Sequence, residues 1–374
     1  MSVVTKFSIP YGKQTIDASD VQAVADAVSA PLMTTGPQVK AFEEALCDYT
    51  GANYCVAVSN GTAALHLASL ALLNKGDAVL TTPNSFLATS NAILYAKAKP
   101  IFVDIDTDGN IDLDVCEKEL KKNPNIKAIY GVAFSGNMLN QKKLKYLREN
   151  YPIMILEDNA HAIGARQGNI KAGSCENSDM AIFSFHPVKN ITTGEGGAIM
   201  TNDKAYHDSL LSLRNHGMIK TPDMAPWEYE MRELGYNYRL TDIQAALGLN
   251  QLKKLDSFLD KRRAIAKRYH DGFKGTKIEP LYPFSDGSAY HLFVVQVDYH
   301  DKRELFEKLL AKGVGVQLHY MPINKQPYYK DLGYGAENTP MMDRYHDRAL
   351  SLPMYPLLSE GEQEYVIEML KSMV

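Results

Sequence analysis

The chain has 374 residues, of which 45% are hydrophobic and 22% are charged, a composition typical of folded globular proteins that excludes disordered, collagen-like and fibrous chains. Forty Lys and Arg against 44 Asp and Glu leave a formal net charge of −4, so we expect neither a nucleic-acid partner nor binding to an anionic membrane surface. The length predicts an enzyme-sized protein of two or three domains. The four cysteines have no C-x-x-C spacing, and we expect no metal site. Residues 1–10 have no secretory pattern and no run reaches ~18 apolar residues, so we expect a cytoplasmic location.

Helical periodicity alternates with short apolar runs from about residue 37 onward, which predicts βα units and a mostly parallel sheet. Pro37, after Gly36, is suited to the first position of a helix. The predicted strands are Tyr54–Ser59, Ala78–Thr82, Pro100–Asp104, Ile126–Val132, Ile153–Glu157, Met180–Ser184 and Ala198–Thr201. The predicted helices lie near 62–73, 86–97, 112–122, 140–149 and 203–214.

A second, smaller unit is predicted toward the C-terminus. Thr241 and Gln244 fit a capping box that opens one long helix, which we expect to link two domains. After a Pro-, Gly- and Ser-rich stretch, an α+β unit follows with strand His291–Val297, helix Lys302–Lys312, strand Val314–His319 and a last helix capped by Ser359. We therefore expect a large domain at 1–250 and a small domain at 251–374.

Four polar clusters, 59–62, 82–86, 157–161 and 184–189, follow predicted strands. Ligands bind beyond the carboxyl ends of strands in open α/β sheets, so the four clusters are candidates for one site. Gly61 would let an anion approach the backbone, with the amides of Thr62 and Ala63 directed at it from a helix N-terminus, although such turns are more often plain structure. The chain has no dinucleotide-binding or P-loop motif.

Three residues of these clusters suggest a particular chemistry. Asp158 follows an apolar run, where a carboxylate is costly to bury without a partner, and His161 could reach the same ligand. Helix capping for Asp158 and simple burial for His161 remain open alternatives. Lys189 is a candidate Schiff-base former because desolvation lowers the pKa of an amine, although singly it could be a surface charge. A phosphate cradle, an aromatic face, an acid and a lysine are together what pyridoxal 5′-phosphate (PLP) requires.

Ordered motifs extend over nearly the whole chain. They are Thr35-Gly36-Pro37, Ser59-Asn60-Gly61-Thr62, Glu157-Asp158-Asn159-Ala160-His161, Ser184-Phe185-His186-Pro187-Val188-Lys189, Gly194-Glu195-Gly196-Gly197, Gly235-Tyr236-Asn237-Tyr238-Arg239 and His319-Tyr320. In these motifs the chain resembles the sugar-nucleotide aminotransferases of the DegT/DnrJ/StrS type. The resemblance implies the aspartate aminotransferase-like (type I PLP) α/β fold, with a mostly parallel central sheet flanked by helices and a smaller C-terminal α+β domain.

The same resemblance implies a role for individual residues. Lys189 would bind PLP covalently, Asp158 would pair with the ring nitrogen, and Phe86 would stack on the ring. Asn237 would reach the phosphate from a neighbouring subunit, which implies a homodimer with shared active sites. The full set of implied cofactor contacts is Gly61, Thr62, Ala63, Phe86, Asp158, His161, Ser184, Lys189 and Asn237.

The substrate expectation is narrower. Histidine at position 161, where many relatives carry Gln, is most similar to the branch that transfers an amino group from L-glutamate to C4 of a UDP-linked 4-keto-6-deoxy-N-acetylhexosamine toward pseudaminic acid. The alternatives are an aminotransferase acting at C3 or on a dTDP-linked sugar, and a non-catalytic PLP- or nucleotide-binding regulator. Candidate sugar contacts, each as readily an interface residue, are His216, Arg239, His319 and Tyr320. Trp227 is expected to be a partly buried surface anchor.

Overall fold

The computed structural model describes residues 9–374, so the expectation for the first ten residues lies almost wholly outside it. The strands are, in chain order, β1 (Tyr54–Val58), β2 (Ala78–Thr81), β3 (Lys99–Phe102), β4 (Ile126–Val132), β5 (Met154–Asp158), β6 (Arg166–Gln167), β7 (Ile170–Lys171), β8 (Met180–Ser184), β9 (Gly197–Thr201), β10 (Met218–Ile219), β11 (Glu230–Met231), β12 (Glu279–Pro280), β13 (Phe293–Gln296) and β14 (Ala349–Leu352). The helices are α1 (Ala18–Ser29), α2 (Pro37–Thr50), α3 (Gly61–Leu72), α4 (Leu87–Tyr95), α5 (Leu113–Lys122), α6 (Gln141–Asn150), α7 (Lys204–Arg214), α8 (Asp242–Leu252), α9 (Leu255–Phe273), α10 (Lys302–Ala311), α11 (Pro327–Asp331), α12 (Pro340–Arg348) and α13 (Glu360–Met373).

A seven-stranded sheet with the order β1-β9-β8-β5-β4-β2-β3 forms the centre of the larger part of the chain. Strand β9 is antiparallel to both of its neighbours, and the other neighbouring pairs are parallel. The predicted mostly parallel sheet is therefore confirmed. Because β1, β8, β5, β4 and β2 run in one direction, their carboxyl ends, and the loops that follow them, meet at one edge of the sheet.

A second sheet of three antiparallel strands, in the order β12-β13-β14, lies in the C-terminal part. Its core combines residues from this sheet and the surrounding helices, among them Tyr269, Val295 and Leu350. The predicted strand Val314–His319 is wrong, because this segment makes only isolated bridges, from Val314 to Ile9 and from Gln317 to Ser351. Strand β14 and helix α1 are elements that the sequence patterns did not predict.

The helix after Thr241 is interrupted. Both hydrogen bonds of the predicted capping box are present, with the Thr241 side chain accepting from the Gln244 N–H. The expected single helix is nevertheless two, because α8 ends at Leu252 and α9 begins at Leu255. No proline or glycine marks this break, so the sequence carries no local signal for it. The capping box at Ser359 is confirmed.

Within residues 9–374, no three His, Cys, Asp or Glu side chains are grouped so that they could hold a metal ion. None of the helices described there combines the length and the apolar character needed to cross a bilayer.

Candidate active site

A cavity of about 650 Å³ lies at the sheet edge where the parallel strands end. Each of the four predicted polar clusters contributes to its wall, and the C-terminal part of the chain adds residues from two segments. The predicted site residues that line it are Gly61, Thr62, Ala63, Phe86, Asp158, His161, Ser184, Lys189, His319 and Tyr320. The parallel topology thus brings together residues that are far apart in the chain.

The N-terminus of α3 forms one wall of the cavity. Asn60 caps this helix by accepting a hydrogen bond from the Ala63 N–H at 2.8 Å. The Ala63 amide is therefore satisfied within the chain, contrary to the expectation that it is directed at an anion. The preceding N–H groups of Gly61 and Thr62 stand at the positive end of the helix dipole, where an anion is stabilised. A Cβ on Gly61 would lie 2.9 Å from the Ser184 Cβ, so glycine permits the close approach of α3 to β8.

Asp158 lies at the end of β5 and is buried. Thr89 donates its hydroxyl to Asp158 Oδ2 at 2.6 Å, and the Ala160 N–H donates to Oδ1 at 3.1 Å. Burial raises the pKa of this carboxyl, whereas the two hydrogen bonds and the charge of Lys189 lower it. The carboxylate is thus held in a fixed orientation, with the cationic partner that a buried charge needs.

Lys189 lies in the loop after β8, and its side chain lines the same cavity. Although the residue as a whole is only half-buried, its amine is surrounded by protein, and removal from water lowers its pKa to about 8. The charge of Asp158 opposes this shift. Near neutral pH most of the amine is protonated, but the unprotonated fraction, which acts as a nucleophile, is far larger than for an ordinary lysine.

Three imidazoles surround the amine of Lys189. Burial, with the nearby Lys189 charge, lowers the pKa of His319 to about 3 and the pKa of His161 and of His291 well below the ordinary range. All three rings are consequently neutral at physiological pH. Lys189 and Asp158 are left as the charged pair at the centre of this group.

Phe86 and Tyr320 form an aromatic wall. Phe86 is the N-cap residue of α4 and is 59% exposed, which is unusual for phenylalanine. Its ring centroid lies 6.3 Å from that of Tyr320. His319, before Tyr320, is held by a 2.8 Å contact between its Nδ1 and the Ser351 Oγ of β14. The exposed face of Phe86 is therefore available to a planar ligand.

Known proteins resemble this chain along nearly its whole length. The sequence profile of the DegT/DnrJ/EryC1/StrS aminotransferase family matches residues 14–371. The chain belongs to this family. It is an aminotransferase, and enzymes of the DegT/DnrJ/EryC1/StrS family depend on PLP.

Individual relatives support the same conclusion. The UDP-4-amino-4,6-dideoxy-N-acetyl-beta-L-altrosamine transaminase of Campylobacter jejuni is 41% identical over 372 residues, which are 98% of this chain and 97% of that protein. The structure of Helicobacter pylori PseC, an aminotransferase involved in the biosynthesis of pseudoaminic acid, matches with a TM-score of 0.93 at 32% identity and covers 98% of each chain. The protein Spr1654 of Streptococcus pneumoniae, in its PLP form, matches with a TM-score of 0.89 at 29% identity, again over 98% of each chain. The expected type I PLP fold is therefore confirmed.

The cavity of this DegT-family enzyme fits PLP. The helix N-terminus at Gly61 and Thr62 and the nearby Ser184 hydroxyl provide hydrogen-bond donors for a phosphate. A residue larger than glycine at position 61 would fill the space beside Ser184. The buried carboxylate of Asp158 is suited to a protonated ring nitrogen, and Lys189 provides the amine. The donor set thus matches the phosphate, the ring and the aldehyde of this cofactor.

Three predicted site residues lie outside the cavity of the single chain. His216 and Asn237 are exposed, and Arg239 lines a second cavity of about 310 Å³, where its Nη1 donates to Asn215 Oδ1 at 2.6 Å. Trp227 is 79% exposed, so the expected partial burial is wrong for this chain. The loop that holds Trp227 joins the two-stranded ribbon β10–β11, whose residues are half-buried or exposed.

Sequence reasoning missed other residues of the site. Thr89 binds Asp158 from the first turn of α4, and His291 lines the cavity from the segment before β13. Ser135 follows β4 and donates its main-chain N–H to His161. The rule that ligands bind after parallel strands applies to β4 as well, so Ser135 could have been found from the sequence. Thr89 and His291 carry no comparable signal.

Gly197→Ala is expected to weaken PLP binding and to lower the free energy of unfolding by about 1–3 kcal/mol, the range typical of overpacking. A Cβ at Gly197 would lie 2.5 Å from the main-chain oxygen of Asn60 and 2.8 Å from the nitrogen of Gly61, so the backbone of the phosphate cradle must move. Urea unfolding and a PLP titration measure the two effects. The control is Gly361→Ala in α13, where a Cβ would meet nothing within 4 Å. If the two variants had the same free energy of unfolding and the same PLP affinity, this would contradict the assignment of the N-terminus of α3 as the phosphate cradle.

Proposed function

We propose that this enzyme transfers the amino group of L-glutamate to C4 of a UDP-linked 4-keto-6-deoxy-N-acetylhexosamine, as in pseudaminic acid biosynthesis. The observation that carries the proposal is the full-length 41% identity with the Campylobacter jejuni transaminase. The structural likeness to PseC, over 98% of both chains, supports it as well. Aminotransfer itself follows from the family, so the proposal concerns the sugar, its nucleotide and the amino donor.

Lys189 is proposed as the catalytic base. When bound, PLP supplies an electron sink that delocalises the charge left by removal of a proton from the amino acid Cα. The Lys189 amine, with its pKa near 8, would accept this proton at Nζ and deliver it to the C4′ carbon of the bound cofactor. The three neutral imidazoles around it leave Nζ without a competing cation in its immediate surroundings.

Other residues are proposed to bind and orient the cofactor. Asp158 holds a proton on the ring nitrogen, and Thr89 and the Ala160 amide keep its two oxygens in place. Phe86 covers one face of the ring and excludes water from it. The proposed phosphate contacts are Gly61, Thr62 and Ser184 from one chain, with Asn237 from a second.

A homodimer with shared sites is part of the proposal. Asn237 is exposed and outside the cavity of its own chain, as a residue that serves a neighbouring site must be. Trp227, Tyr229, Met231 and Leu234, on or next to the ribbon β10–β11, are each more than 60% exposed, and such apolar surface is normally covered by a partner. Contacts of His216 and Arg239 with the sugar diphosphate would then be made across the interface.

Two broader expectations remain proposals. The division into 1–250 and 251–374 is supported by a separate C-terminal core, although Leu255 and Leu259 of α9 pack with the larger part. A cytoplasmic location is supported by the buried or half-buried free cysteines, Cys47, Cys55, Cys116 and Cys175.

A panel of UDP- and dTDP-linked 4-keto and 3-keto sugars, each incubated with L-glutamate and PLP, tests the substrate. We expect an amino-sugar product, detected by its mass, from the UDP-linked 4-keto-6-deoxy-N-acetyl sugar, with formation of 2-oxoglutarate. A preferred product from a dTDP-linked or 3-keto sugar would support the alternative aminotransferase and overturn the proposed substrate. No product from any sugar, with PLP bound, would favour a regulatory role.

A further inference from the structure

His161 lies between a main-chain N–H, which can only donate a hydrogen bond, and a tyrosine hydroxyl, which can donate or accept one. Its Nδ1 accepts the main-chain N–H of Ser135 at 3.3 Å, and its Nε2 lies 3.1 Å from the hydroxyl oxygen of Tyr320. The ring is buried, lines the cavity and packs against the ring of His291, with centroids 4.3 Å apart. Each nitrogen of the imidazole is therefore engaged before any ligand binds.

The Ser135 contact determines which nitrogen carries the proton. A main-chain N–H can only donate, so Nδ1 must be the unprotonated nitrogen of a neutral ring. The groups that face the ring are Lys189, His291, His319 and Tyr320, and none of them is an anion. Burial and the Lys189 charge lower the pKa of His161 well below its usual range, so the ring is neutral. The single ring proton is consequently on Nε2, the nitrogen that faces Tyr320 and the cavity.

The Ser135 amide is fixed by an unusual backbone conformation. Ser135 has φ 61°, in the left-handed region, and its side chain is fully buried. Its Oγ donates to the Leu292 carbonyl at 2.9 Å and lies 3.2 Å from the Tyr282 hydroxyl, while the Leu292 N–H donates to the Ser135 carbonyl at 3.3 Å. The segment before β13 thus holds the peptide that determines the tautomer of His161.

We propose that Ser135 is a positioning residue which, through its main-chain N–H, fixes His161 as the Nε2–H tautomer, so that His161 presents a permanent hydrogen-bond donor to the cavity. Tyr320 accepts this donor in the free enzyme and keeps its own hydroxyl proton available to a ligand oxygen. An oxygen atom of the bound cofactor or sugar is the group that would accept the Tyr320 hydroxyl proton. The proposal rests on the proposed function only for the identity of that ligand.

The tautomer is measurable without any ligand. In protein labelled with ¹⁵N-histidine, we expect the His161 Nδ1 to resonate as an unprotonated nitrogen and Nε2 as a protonated one, in the free and in the PLP-loaded enzyme, between about pH 6 and 9. His161→Gln identifies the signal by its loss. A proton on Nδ1, or a ring that titrates in this range, would overturn the proposal whatever the sugar substrate is.

Two substitutions at Ser135 separate the amide from the side chain. Ser135→Gly keeps the left-handed conformation and should keep the tautomer. Ser135→Val strongly disfavours that conformation, so we expect the Nδ1–H form to appear and PLP affinity to fall roughly three- to tenfold, the value of about one neutral hydrogen bond. An unchanged tautomer in folded Ser135→Val would count against a positioning role. If Ser135→Val does not fold, the ¹⁵N spectrum of the unmodified protein still shows which nitrogen of His161 carries the proton.

Conservative replacement of His161 provides a second measurement. Glutamine offers an acceptor oxygen and a donor N–H, as the fixed tautomer does, so His161→Gln should retain PLP affinity within about threefold. His161→Leu, of similar size, offers neither and should bind PLP roughly tenfold more weakly. Equal affinities of the two variants would show that His161 only fills space.

Discussion

Replacing Lys189 by alanine is expected to reduce kcat for amino transfer by roughly 10³-fold or more, since both a nucleophile and a general base are lost. The variant should still bind PLP through the cradle at Gly61 and Thr62 and through Asp158, but without a covalent bond. Absorption spectra after gel filtration or borohydride treatment, together with the mass of the protein, distinguish covalent from noncovalent cofactor. Retention of covalent PLP or of turnover would refute the assignment of Lys189.

The pH dependence of cofactor attachment provides an independent test of the same residue. The amine must be unprotonated to attack an aldehyde, so the rate of covalent PLP incorporation into the cofactor-free enzyme should rise with pH and level off above about 8, the pKa of Lys189. An ordinary surface lysine would give a rate that continues to rise toward about pH 10. The control substitution is Lys118→Ala, at an exposed position of α5, which should change neither the rate nor the turnover.

The sequence predicted the central sheet better than the C-terminal part for a physical reason. Strands such as Ile126–Val132 and Met180–Ser184 are mostly buried, so nearly continuous apolar runs mark them, and the structure has both with the predicted bounds. The segment Val314–His319 alternates apolar residues with Gly, Gln and His, a pattern typical of a half-buried strand, but it makes only isolated bridges. Strand β14 pairs with β13 across more than 50 residues of chain, a contact that no local pattern reports.

The site was predictable where chemistry and topology coincide. Asp158 ends one strand of the sheet and Lys189 lies in the loop after its neighbour, and the polar clusters, taken together and in chain order, indicate PLP. The position of Ser135 after β4 follows the same rule, but its contacts, like those of His291, depend on how the segment before β13 packs against neighbouring loops. The left-handed conformation of Ser135 is likewise imposed by tertiary contacts, since serine has no intrinsic preference for it.

Asp158→Ala is expected to lower kcat by about 10²–10³-fold, comparable to the loss of one preorganised electrostatic contact in an active site. In its proposed role the carboxylate would keep a proton on the ring nitrogen of the bound cofactor, and the protonated ring is the better electron sink. Its burial and its 2.6 Å hydrogen bond from Thr89 mean that it need not reorganise during the reaction. Single-turnover reaction with L-glutamate, followed by the change in cofactor absorption, measures this step directly.

The neighbouring Glu157 provides a matched control for Asp158. Glu157 is also a buried carboxylate on β5, but strand geometry directs it to the other face of the sheet, where Ser178 and Gln141 donate to it at 2.7 and 2.8 Å. Glu157→Gln should therefore leave the single-turnover rate within a few-fold of the unmodified enzyme. A PLP analogue methylated at the ring nitrogen carries a permanent positive charge, so it should partly restore Asp158→Ala and leave Lys189→Ala inactive. Failure of this rescue, with the analogue bound, would mean that Asp158 acts on something other than the ring nitrogen.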